Sequence, residues 1–189
     1  MSKTKNGSVK IISGKWRGRN ITFPDAHGLR PTHSRLRETL FNWISPYIQG
    51  STCLDLFSGS GALGFEAASR GAAEVLLVEN NPEVIKSLEE NKFALKACEV
   101  KIKKCNAISF SSEVGKKNYD IIFLDPPFEK DLLKKIIPLL HENNILKENG
   151  FLYVEKEIGS DCFNLPKEWE VKKEKKTATI CYMLIQRVS

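Results

Sequence analysis

The sequence is poor in the residues that build disulfide frameworks and metal sites. Its 189 residues include five cysteines and three histidines. The cysteines are an odd number, widely scattered and without a C-x-x-C pair, and the histidines show no ligand spacing. We therefore expect reduced thiols, as in a cytoplasmic protein, and neither disulfides nor a metal site.

Long apolar runs are also missing from the sequence. No stretch approaches the roughly 18 apolar residues that a membrane-spanning helix needs. The N-terminal residues MSKTKNGSVK lack the apolar core of a signal peptide. Apolar residues still make up 41% of the chain, which suffices for one full-sized domain with a hydrophobic core. We expect a cytoplasmic monomer without membrane contact.

Acidic residues are nearly missing from positions 1–37. This stretch holds nine lysines and arginines and one aspartate, a net charge of +8 in a chain whose net charge is +6. A basic arm on a nearly neutral body is typical of proteins that bind a polyanion. Basic and apolar residues alternate over 10–37, which favours a folded hairpin, whereas a solvated terminus is the alternative for 1–8. The candidate nucleic-acid contacts are Lys15, Arg17, Arg19, Arg30 and Arg35.

Strand and helix patterns alternate between residues 50 and 155. The predicted strands are 53–57, 74–78, 100–103, 119–124 and 150–154, followed by an antiparallel hairpin at 171–174 and 177–185. Such alternation is typical of a parallel sheet covered by helices on both faces. We predict an α/β, doubly wound, Rossmann-like domain at 38–189 with a mostly parallel seven-stranded sheet and an antiparallel C-terminal strand. A small basic extension at 1–37 precedes it as a β-hairpin and the start of a helix that runs to about Gln49.

A glycine-rich turn joins the first strand of the sheet to its helix. Gly59, Gly61 and Gly64 form a G-x-G-x-x-G pattern, and Glu79 lies at the tip of the next strand. This arrangement is typical of dinucleotide sites, in which the carboxylate binds ribose hydroxyls. Asp55 argues against a dinucleotide, because its carboxylate would lie beside two phosphates at a cost of several kcal/mol.

A positively charged ligand explains Asp55 better. S-adenosylmethionine carries an amino group and a sulfonium, has no phosphate, and still presents a ribose to Glu79. The alternatives are a helix cap for Asp55 and a solvated strand end for Glu79. Asn106 and Ala107 follow the third strand, where adenine would lie, although Asn106 could equally cap a helix. The predicted contacts with this methyl donor are Asp55, Ser58, Gly59, Gly61, Glu79, Asn80, Asn106 and Ala107.

The tetrapeptide Asp125-Pro126-Pro127-Phe128 directly follows the apolar strand 119–124. Two prolines cannot continue a central strand, since neither has an N–H for the ladder, and they leave carbonyl groups free as acceptors. A nucleobase fits this arrangement, because oxygens would accept the protons of its amine while Phe128 stacks on its ring. The alternative is a strand-ending turn with a packed phenylalanine. The predicted catalytic residues are Asp125, Pro126 and Phe128.

Longer stretches of the chain resemble one bacterial family. They are residues 11–19 (IISGKWRGR), 29–32 (LRPT), 35–43 (RLRETLFNW), 54–64 (LDLFSGSGALG) and 125–128 (DPPF). Over nearly its whole length the chain resembles the bacterial guanine-N2 methyltransferases of 16S ribosomal RNA. The glycine turn and DPPF occur in many methyltransferases, whereas the first three stretches are more specific.

The resemblance implies a class I S-adenosylmethionine-dependent methyltransferase fold, S-adenosylmethionine as the donor, and 16S rRNA in an assembling small ribosomal subunit as the substrate. It also implies that the basic N-terminal part contacts RNA, and that Asp125 and Phe128 hold the target base. Thr32 and Arg37 are candidates to close over the carboxylate of the donor, since the helix that they open precedes the first strand of the sheet.

Three other functions were weighed against this interpretation. Methyltransferases of DNA adenine or of protein glutamine also use a Pro-Pro-aromatic clamp, but they more often carry Asn where this chain has Asp125. An NAD-dependent reductase is disfavoured by Asp55 and by the lack of an obvious Tyr/Lys pair or hydride-site histidine. A pure RNA-binding module would not need acidic residues at successive strand ends. We expect Asp55, Glu79 and Asp125 to converge at one edge of the sheet.

Overall fold

The structure is a computed structural model that describes residues 7–24, 34–113, 117–127, 132–159 and 163–188. In this part of the chain the strands are β1 (Gly7–Lys10), β2 (Asn20–Phe23), β3 (Thr52–Asp55), β4 (Glu74–Glu79), β5 (Val100–Lys104), β6 (Tyr119–Leu124), β7 (Leu146–Glu157), β8 (Trp169–Lys176) and β9 (Ile180–Arg187). The helices are α1 (Ser34–Trp43), α2 (Ser45–Ile48), α3 (Ala62–Ser69), α4 (Pro82–Leu95), α5 (Ala107–Ser112) and α6 (Leu132–Glu142). None of the described helices has both the length and the apolar character needed to cross a membrane.

Seven strands form one sheet in the order β5-β4-β3-β6-β7-β9-β8. Strands β5, β4, β3, β6 and β7 are parallel, and β9 is antiparallel to both of its neighbours. The predicted mostly parallel seven-stranded sheet is therefore confirmed. β7 is longer than predicted, because its twelve residues pair with β6 and then continue along β9 beyond the end of β6.

Helices cover both faces of the sheet, so neighbouring residues of one strand lie in different halves of the core. Cys53 of β3 belongs to a cluster with α1, α3 and α4, whereas Leu54 belongs to one with α5 and α6. Strands buried on both faces have continuous apolar sequences, without alternation of apolar and polar residues. This property made the parallel strands recognisable in the sequence.

The helix predicted to run to about Gln49 is interrupted at Ile44. α1 ends at Trp43, and α2 begins at Ser45 with a proline, Pro46, in its first turn. Proline lacks an N–H and its ring clashes with the carbonyl group four residues earlier, so a straight continuous helix cannot contain it. The prediction of one continuous helix was wrong because it did not take Pro46 into account.

The N-terminal hairpin packs on the main sheet domain through apolar side chains. β1 and β2 pair in antiparallel fashion, as predicted. Ile11, Trp16 and Ile21 are buried in the cluster that contains α1 and α3. The backbone N–H of Trp16 also donates to Ser69 Oγ of α3 at 3.0 Å. The basic extension therefore shares its core with the domain that follows it.

Glu66 of α3 is fully buried and fastens the hairpin to the helix. Its Oε2 accepts a hydrogen bond from the backbone N–H of Ile12 at 2.7 Å, and its Oε1 accepts one from Ser13 at 3.0 Å. Arg70 Nε lies 2.7 Å from Oε1, and Arg37 Nη1 lies 3.7 Å from Oε2. Hydrogen bonds and opposite charges together make a buried carboxylate tolerable. Glu66 thus connects the extension, α1 and α3.

Candidate active site

Four neighbouring parallel strands carry acidic residues at the same edge of the sheet. Asp55 and Glu79 are the last residues of β3 and β4, Asp125 is the first residue after β6, and Glu155 lies near the end of β7. Because β4, β3, β6 and β7 are adjacent in this order, their carboxyl ends meet. The predicted convergence of Asp55, Glu79 and Asp125 is confirmed, and Glu155 was not predicted.

This edge contains the point where the order of the strands reverses. From β3 the chain continues to β4 and β5 on one side, and it returns to β6 and β7 on the other. In open α/β sheets the connections after such strands turn to opposite faces and leave a crevice, in which ligands bind. The acidic strand ends therefore lie where this architecture provides a ligand site.

Asp55 is a buried carboxylate with one oxygen that lacks a partner. The residue is 2% exposed. Its Oδ2 accepts a hydrogen bond from the backbone N–H of Gly64 at 3.2 Å, whereas Oδ1 is buried without a hydrogen-bond partner. Gly64 lies in the first turn of α3, so Oδ2 of Asp55 does cap this helix, which was the alternative to a ligand contact. The cap leaves Oδ1 unexplained, and an unpaired buried carboxylate oxygen is costly unless a ligand completes the site.

The surroundings of Asp55 disfavour its negative charge. Burial raises the pKa of Asp55 from 3.8 to about 7, and the nearby carboxylates of Asp125 and Glu79 contribute to the increase. The backbone N–H groups of Gly64 and Phe57 oppose it. A cation beside Asp55 would reverse this balance, because an opposite charge stabilises the ionised form. The site therefore suits a positively charged ligand.

The turn between β3 and α3 requires glycine for reasons of conformation and packing. Gly59 and Gly61 have φ values of 45° and 78°, in the left-handed region that L side chains rarely adopt. A Cβ atom on Gly61 would lie 2.7 Å from the side chain of Leu88, and one on Gly64 would lie 2.1 Å from that of Leu77. Since the fold alone demands these glycines, the G-x-G-x-x-G pattern does not by itself identify the ligand.

Glu79 fixes the glycine turn to the end of β4. Its Oε2 accepts a hydrogen bond from the backbone N–H of Gly59 at 3.1 Å. Its Oε1 accepts bonds from the N–H groups of Asn80 and Asn81 at 2.8 and 2.9 Å. A carboxylate offers about four acceptor positions, so these three bonds orient Glu79 and leave about one position, on Oε2, for a ribose hydroxyl. The contacts of Glu79 and Asn80 with a donor stay predictions.

Two other predicted donor contacts have structural roles. Asn106 Oδ1 accepts hydrogen bonds of 2.9 and 3.4 Å from N–H groups in the first turn of α5, which makes Asn106 its N-cap. The buried hydroxyl of Ser58 lies 3.0 Å from the carbonyl oxygen of Asp55 and 3.1 Å from that of Val78. Ser58 therefore joins the ends of β3 and β4. Donor contacts of Asn106, Ser58 and the buried Ala107 stay predictions.

Asp125 occupies the centre of the acidic group, on the strand between β3 and β7. It is partly buried, with Pro126 buried behind it and Pro127 exposed. Its carboxylate raises the pKa values of both Asp55 and Glu155. Phe128 lies outside the described residues, so its stacking on a base stays a prediction.

Glu155 and its partner Tyr153 were missed in the sequence. Glu155 is 3% exposed, and its Oε1 accepts a hydrogen bond from the hydroxyl of Tyr153 at 2.6 Å. Burial raises the pKa of Glu155 to about 8, Asp125 adds to the increase, and the bond from Tyr153 opposes it. Glu155 directly follows the apolar run 151–154, just as Asp125 follows the apolar strand before it. An acidic residue directly after an apolar strand was therefore the sequence signal that could have identified Glu155.

The basic residues of the extension differ in what they contact. Lys15 forms an ion pair with Glu99, and Arg19 Nη2 donates to a backbone carbonyl of α4 at 2.9 Å. Arg17 and Arg35 are exposed at the surface. Lys15, Arg17 and Arg19 lie in the hairpin, whereas Arg35 lies in α1. The contacts of all four with RNA stay predictions.

Arg37 is buried beneath the hairpin. Its Nη2 donates to the carbonyl oxygen of Lys10 at 3.0 Å, and its Nη1 faces Glu66. These contacts connect α1 with the extension and with α3, so the closure of Arg37 over the carboxylate of a donor stays a prediction. The other residue named for that role, Thr32, and the candidate RNA contact Arg30 lie outside the described residues.

Nearly the whole chain is similar to proteins of one family. A family model described as Conserved hypothetical protein 95 matches residues 9–186. The chain belongs to this family. Ribosomal RNA small subunit methyltransferase D of Escherichia coli strain K12 is 43% identical to it over 182 residues, which cover 96% of this chain and 91% of the relative.

Solved structures of similar proteins share the fold of this chain. An inferred methyltransferase from Escherichia coli has a TM-score of 0.90 and 43% identity, covering 96% of this chain and 99% of the other. An inferred methylase from Haemophilus influenzae has a TM-score of 0.84 and 40% identity, covering 97% and 100%. The predicted Rossmann-like methyltransferase fold is confirmed.

Proposed function

We propose that this protein transfers a methyl group from S-adenosylmethionine to the exocyclic N2 amine of a guanosine in 16S rRNA. The observation that carries the proposal is the buried, unpartnered Oδ1 of Asp55 at an edge where four acidic strand ends meet. The similar protein from Escherichia coli is named as a methyltransferase of small-subunit ribosomal RNA.

The residues at the strand ends fit S-adenosylmethionine better than a dinucleotide. Asp55 lies in surroundings that already disfavour its negative charge, so two phosphates beside it would increase the penalty. The positive amino group and sulfonium of the donor would instead stabilise the ionised carboxylate. Glu79, oriented by the glycine turn, offers its Oε2 for a ribose hydroxyl. When bound, the donor supplies an electrophilic methyl group.

The basic extension supports RNA as the second substrate. A groove of about 520 Å³ lies between the hairpin and α1, and its charged lining residues are Lys10, Arg17, Arg37 and Glu38. The groove belongs to a segment of +8 net charge that shares its core with the domain carrying the acidic site. Electrostatic attraction to phosphates provides most of the sequence-independent affinity of such surfaces.

Asp125 and Pro126 provide the chemistry that a guanine amine needs. The amine is a poor nucleophile because its lone pair is delocalised into the ring. The carboxylate of Asp125 and a backbone carbonyl near Pro126 would accept the two amine protons. These hydrogen bonds orient the lone pair and stabilise the positive charge that develops on nitrogen. As the nitrogen–methyl bond forms, the methyl–sulfur bond would break, and one amine proton would pass to Asp125 or to water. Phe128 would stack on the base after it leaves the RNA helix, and positioning of both reactants supplies much of the remaining acceleration.

Transfer of labelled methyl groups tests the proposal. Ribosomal RNA from cells that lack the protein is offered as free RNA and as small-subunit particles, and the products are digested to nucleosides. We expect the label in N2-methylguanosine. Label in N6-methyladenosine, or in protein instead of RNA, would overturn the proposal in favour of another amine.

The variant Asp125→Ala tests the assigned chemistry. Transfer should fall by about 10²-fold or more while donor binding persists, because the lost acceptor acts on the developing charge. Asp120→Ala is the matched control, since Asp120 lies at the other end of β6 and binds Thr52 and Lys147. Near-wild-type turnover of folded Asp125→Ala would remove Asp125 from the mechanism.

A further inference from the structure

We propose that Glu155 determines the base specificity of this site by accepting the ring N1–H of the target guanine, beside the amine that Asp125 holds. The inference rests on the proposed function and names a residue that the DPPF tetrapeptide does not contain.

The sheet places the two carboxyl groups side by side. The last paired residues of β6 and β7 are Leu124 and Val154, so Asp125 and Glu155 occupy the next position of the register. Neighbouring strands are about 4.8 Å apart. Phe123 precedes Asp125 by two residues and lies in the cluster that also contains Tyr153 of β7. Residues two apart on a strand share a face, so Asp125 and Glu155 point to the same side of the sheet.

Burial of Glu155 beside another carboxylate has no evident structural purpose. The titratable groups on its face are Asp125 after β6, Tyr153 on β7 itself, and Tyr182, its partner on β9. Asp55 lies one strand beyond Asp125, and Lys175 of β8 pairs with Tyr182. A buried carboxyl group beside a second, partly buried one destabilises a fold, and strongly perturbed carboxyl groups cluster at functional sites.

Guanine offers a hydrogen-bonding edge that matches this pair. Its N2 amine and its N1–H are neighbouring donors, so two adjacent carboxylates can accept from both. In adenine and cytosine the ring nitrogen next to the amine is an acceptor, which a second carboxylate would repel. A site built to pair with a donor rejects a base that lacks it, because its own buried group is left unpaired. Glu155 would therefore favour guanine, and Asp125 alone would accept any amine.

The same arrangement makes capture of the base depend on pH. Glu155 accepts N1–H in its ionised form, and in the free site burial raises its pKa to about 8. With S-adenosylmethionine saturating, so that Asp55 already faces its cationic ligand, kcat/KM for RNA should therefore increase as pH rises through this range, since this constant then reports the enzyme before it binds RNA. The hydroxyl of Tyr153 lowers the pKa of Glu155. Tyr153→Phe should move the increase to higher pH, which makes Tyr153 a positioning residue.

The test compares two target bases in otherwise identical RNA. One substrate carries guanosine at the methylated position, and the other carries 2-aminopurine there, which keeps the amine but lacks N1–H. In Glu155→Gln the preference for guanosine over 2-aminopurine should fall at least tenfold relative to wild type, because the neutral amide can turn either its oxygen toward N1–H of guanine or its NH2 group toward the bare N1 of 2-aminopurine. The increase of kcat/KM with pH should also disappear. The preference is the ratio of kcat/KM for the guanosine RNA to kcat/KM for the 2-aminopurine RNA. Dividing this ratio for the variant by the ratio for wild type cancels the different intrinsic reactivities of the two bases.

Glu157→Gln is the matched control. Glu157 lies two residues farther along β7 and is exposed, and this variant should keep both the wild-type preference and the wild-type pH profile. If Glu155→Gln does not fold, the pH profile of Tyr153→Phe tests the inference: a rise of kcat/KM at higher pH than in wild type supports it, and an unchanged profile overturns it. An unchanged preference and pH profile in folded Glu155→Gln, with guanosine still methylated, overturns the inference and leaves the proposed function standing. Failure of the wild-type protein to methylate guanosine overturns the proposed function itself.

Discussion

At pH 8, replacing Asp55 by asparagine should make the ligand-free protein more stable than wild type, and this gain should shrink as the pH falls. Asp55 is buried, and its Oδ1 has no hydrogen-bond partner. Asparagine has nearly the same shape, and its oxygen can still accept the bond from the backbone N–H of Gly64. The substitution therefore removes a charge and leaves the packing almost unchanged.

The magnitude follows from the pKa of the folded state. Burial, with a contribution from Asp125, raises the pKa of Asp55 from 3.8 to about 7. This difference corresponds to roughly 4 kcal/mol, at 1.36 kcal/mol for each pKa unit. The new amide NH2 group replaces an oxygen without a partner, which costs about 1–3 kcal/mol at every pH. The change of the effect with pH is therefore more informative than its size at one pH.

The sign follows from proton binding in the two states. Well below pH 3.8 both the folded and the unfolded chain hold the proton of Asp55, so the group adds no pH dependence. Between pH 3.8 and about 7 the folded chain keeps a proton that the unfolded chain has lost, and stability falls as pH rises. Above pH 7 the full penalty applies. Asparagine does not titrate and has no such penalty. The stability of Asp55→Asn relative to wild type must therefore increase between pH 3.8 and about 7.

Urea unfolding of the ligand-free proteins at pH 4.5, 6 and 8 measures this effect. The difference in the free energy of unfolding between Asp55→Asn and wild type should change by about 3 kcal/mol in favour of the variant from pH 4.5 to pH 8. A difference that stays constant within about 0.5 kcal/mol, or that moves in the opposite direction, would refute the reasoning.

Asp120→Asn provides a control of opposite sign. Partial burial opposes ionisation of Asp120, but its bonds from Thr52 and Lys147 together lower its pKa. A carboxyl group with a lowered folded-state pKa stabilises the fold above its unfolded-state pKa, and this stabilisation is lost as pH falls through the folded-state pKa. Asp120→Asn should therefore be less stable than wild type at pH 8, with a deficit that shrinks in acid.

Two further predictions concern the extension. Glu66→Gln should destabilise the fold by about 3–5 kcal/mol in urea unfolding, because it leaves the buried guanidinium of Arg37 without its counter-charge. Amide exchange at Ile12 and Ser13 should accelerate, since both N–H groups donate to Glu66. Arg17→Ala should reduce the slope of log affinity for rRNA against log salt by about one, provided that Arg17 contacts a phosphate. An unchanged slope would remove Arg17 from the RNA interface.

The order of the elements made the acidic edge predictable before any coordinate was known. Continuous apolar runs located the parallel strands, because strands buried on both faces need no alternation. Parallel strands meet at their carboxyl ends, so acidic residues at successive ends, such as Asp55 and Asp125, had to approach each other. Glu155 also directly follows an apolar stretch of a parallel strand, so the same reasoning applies to it. It was not predicted because it belongs to no familiar motif.

Other features of the site depend on three-dimensional contacts that no local pattern encodes. Whether Oδ1 of Asp55 has a partner depends on where the first turn of α3 places its N–H groups. The bonds between Glu66 and the hairpin join residues more than fifty positions apart. The break between α1 and α2, in contrast, could have been predicted from the sequence, because Pro46 cannot lie inside a straight continuous helix.

A calorimetric titration with S-adenosylmethionine and with NADH tests the central claim most directly. We predict that S-adenosylmethionine binds the wild-type protein and NADH does not. Asp55→Asn, although more stable, should bind S-adenosylmethionine at least about tenfold more weakly, since a cation close to a carboxylate gains more than about 1.4 kcal/mol from it. Tighter binding of NADH, or wild-type affinity for S-adenosylmethionine in Asp55→Asn, would contradict the account.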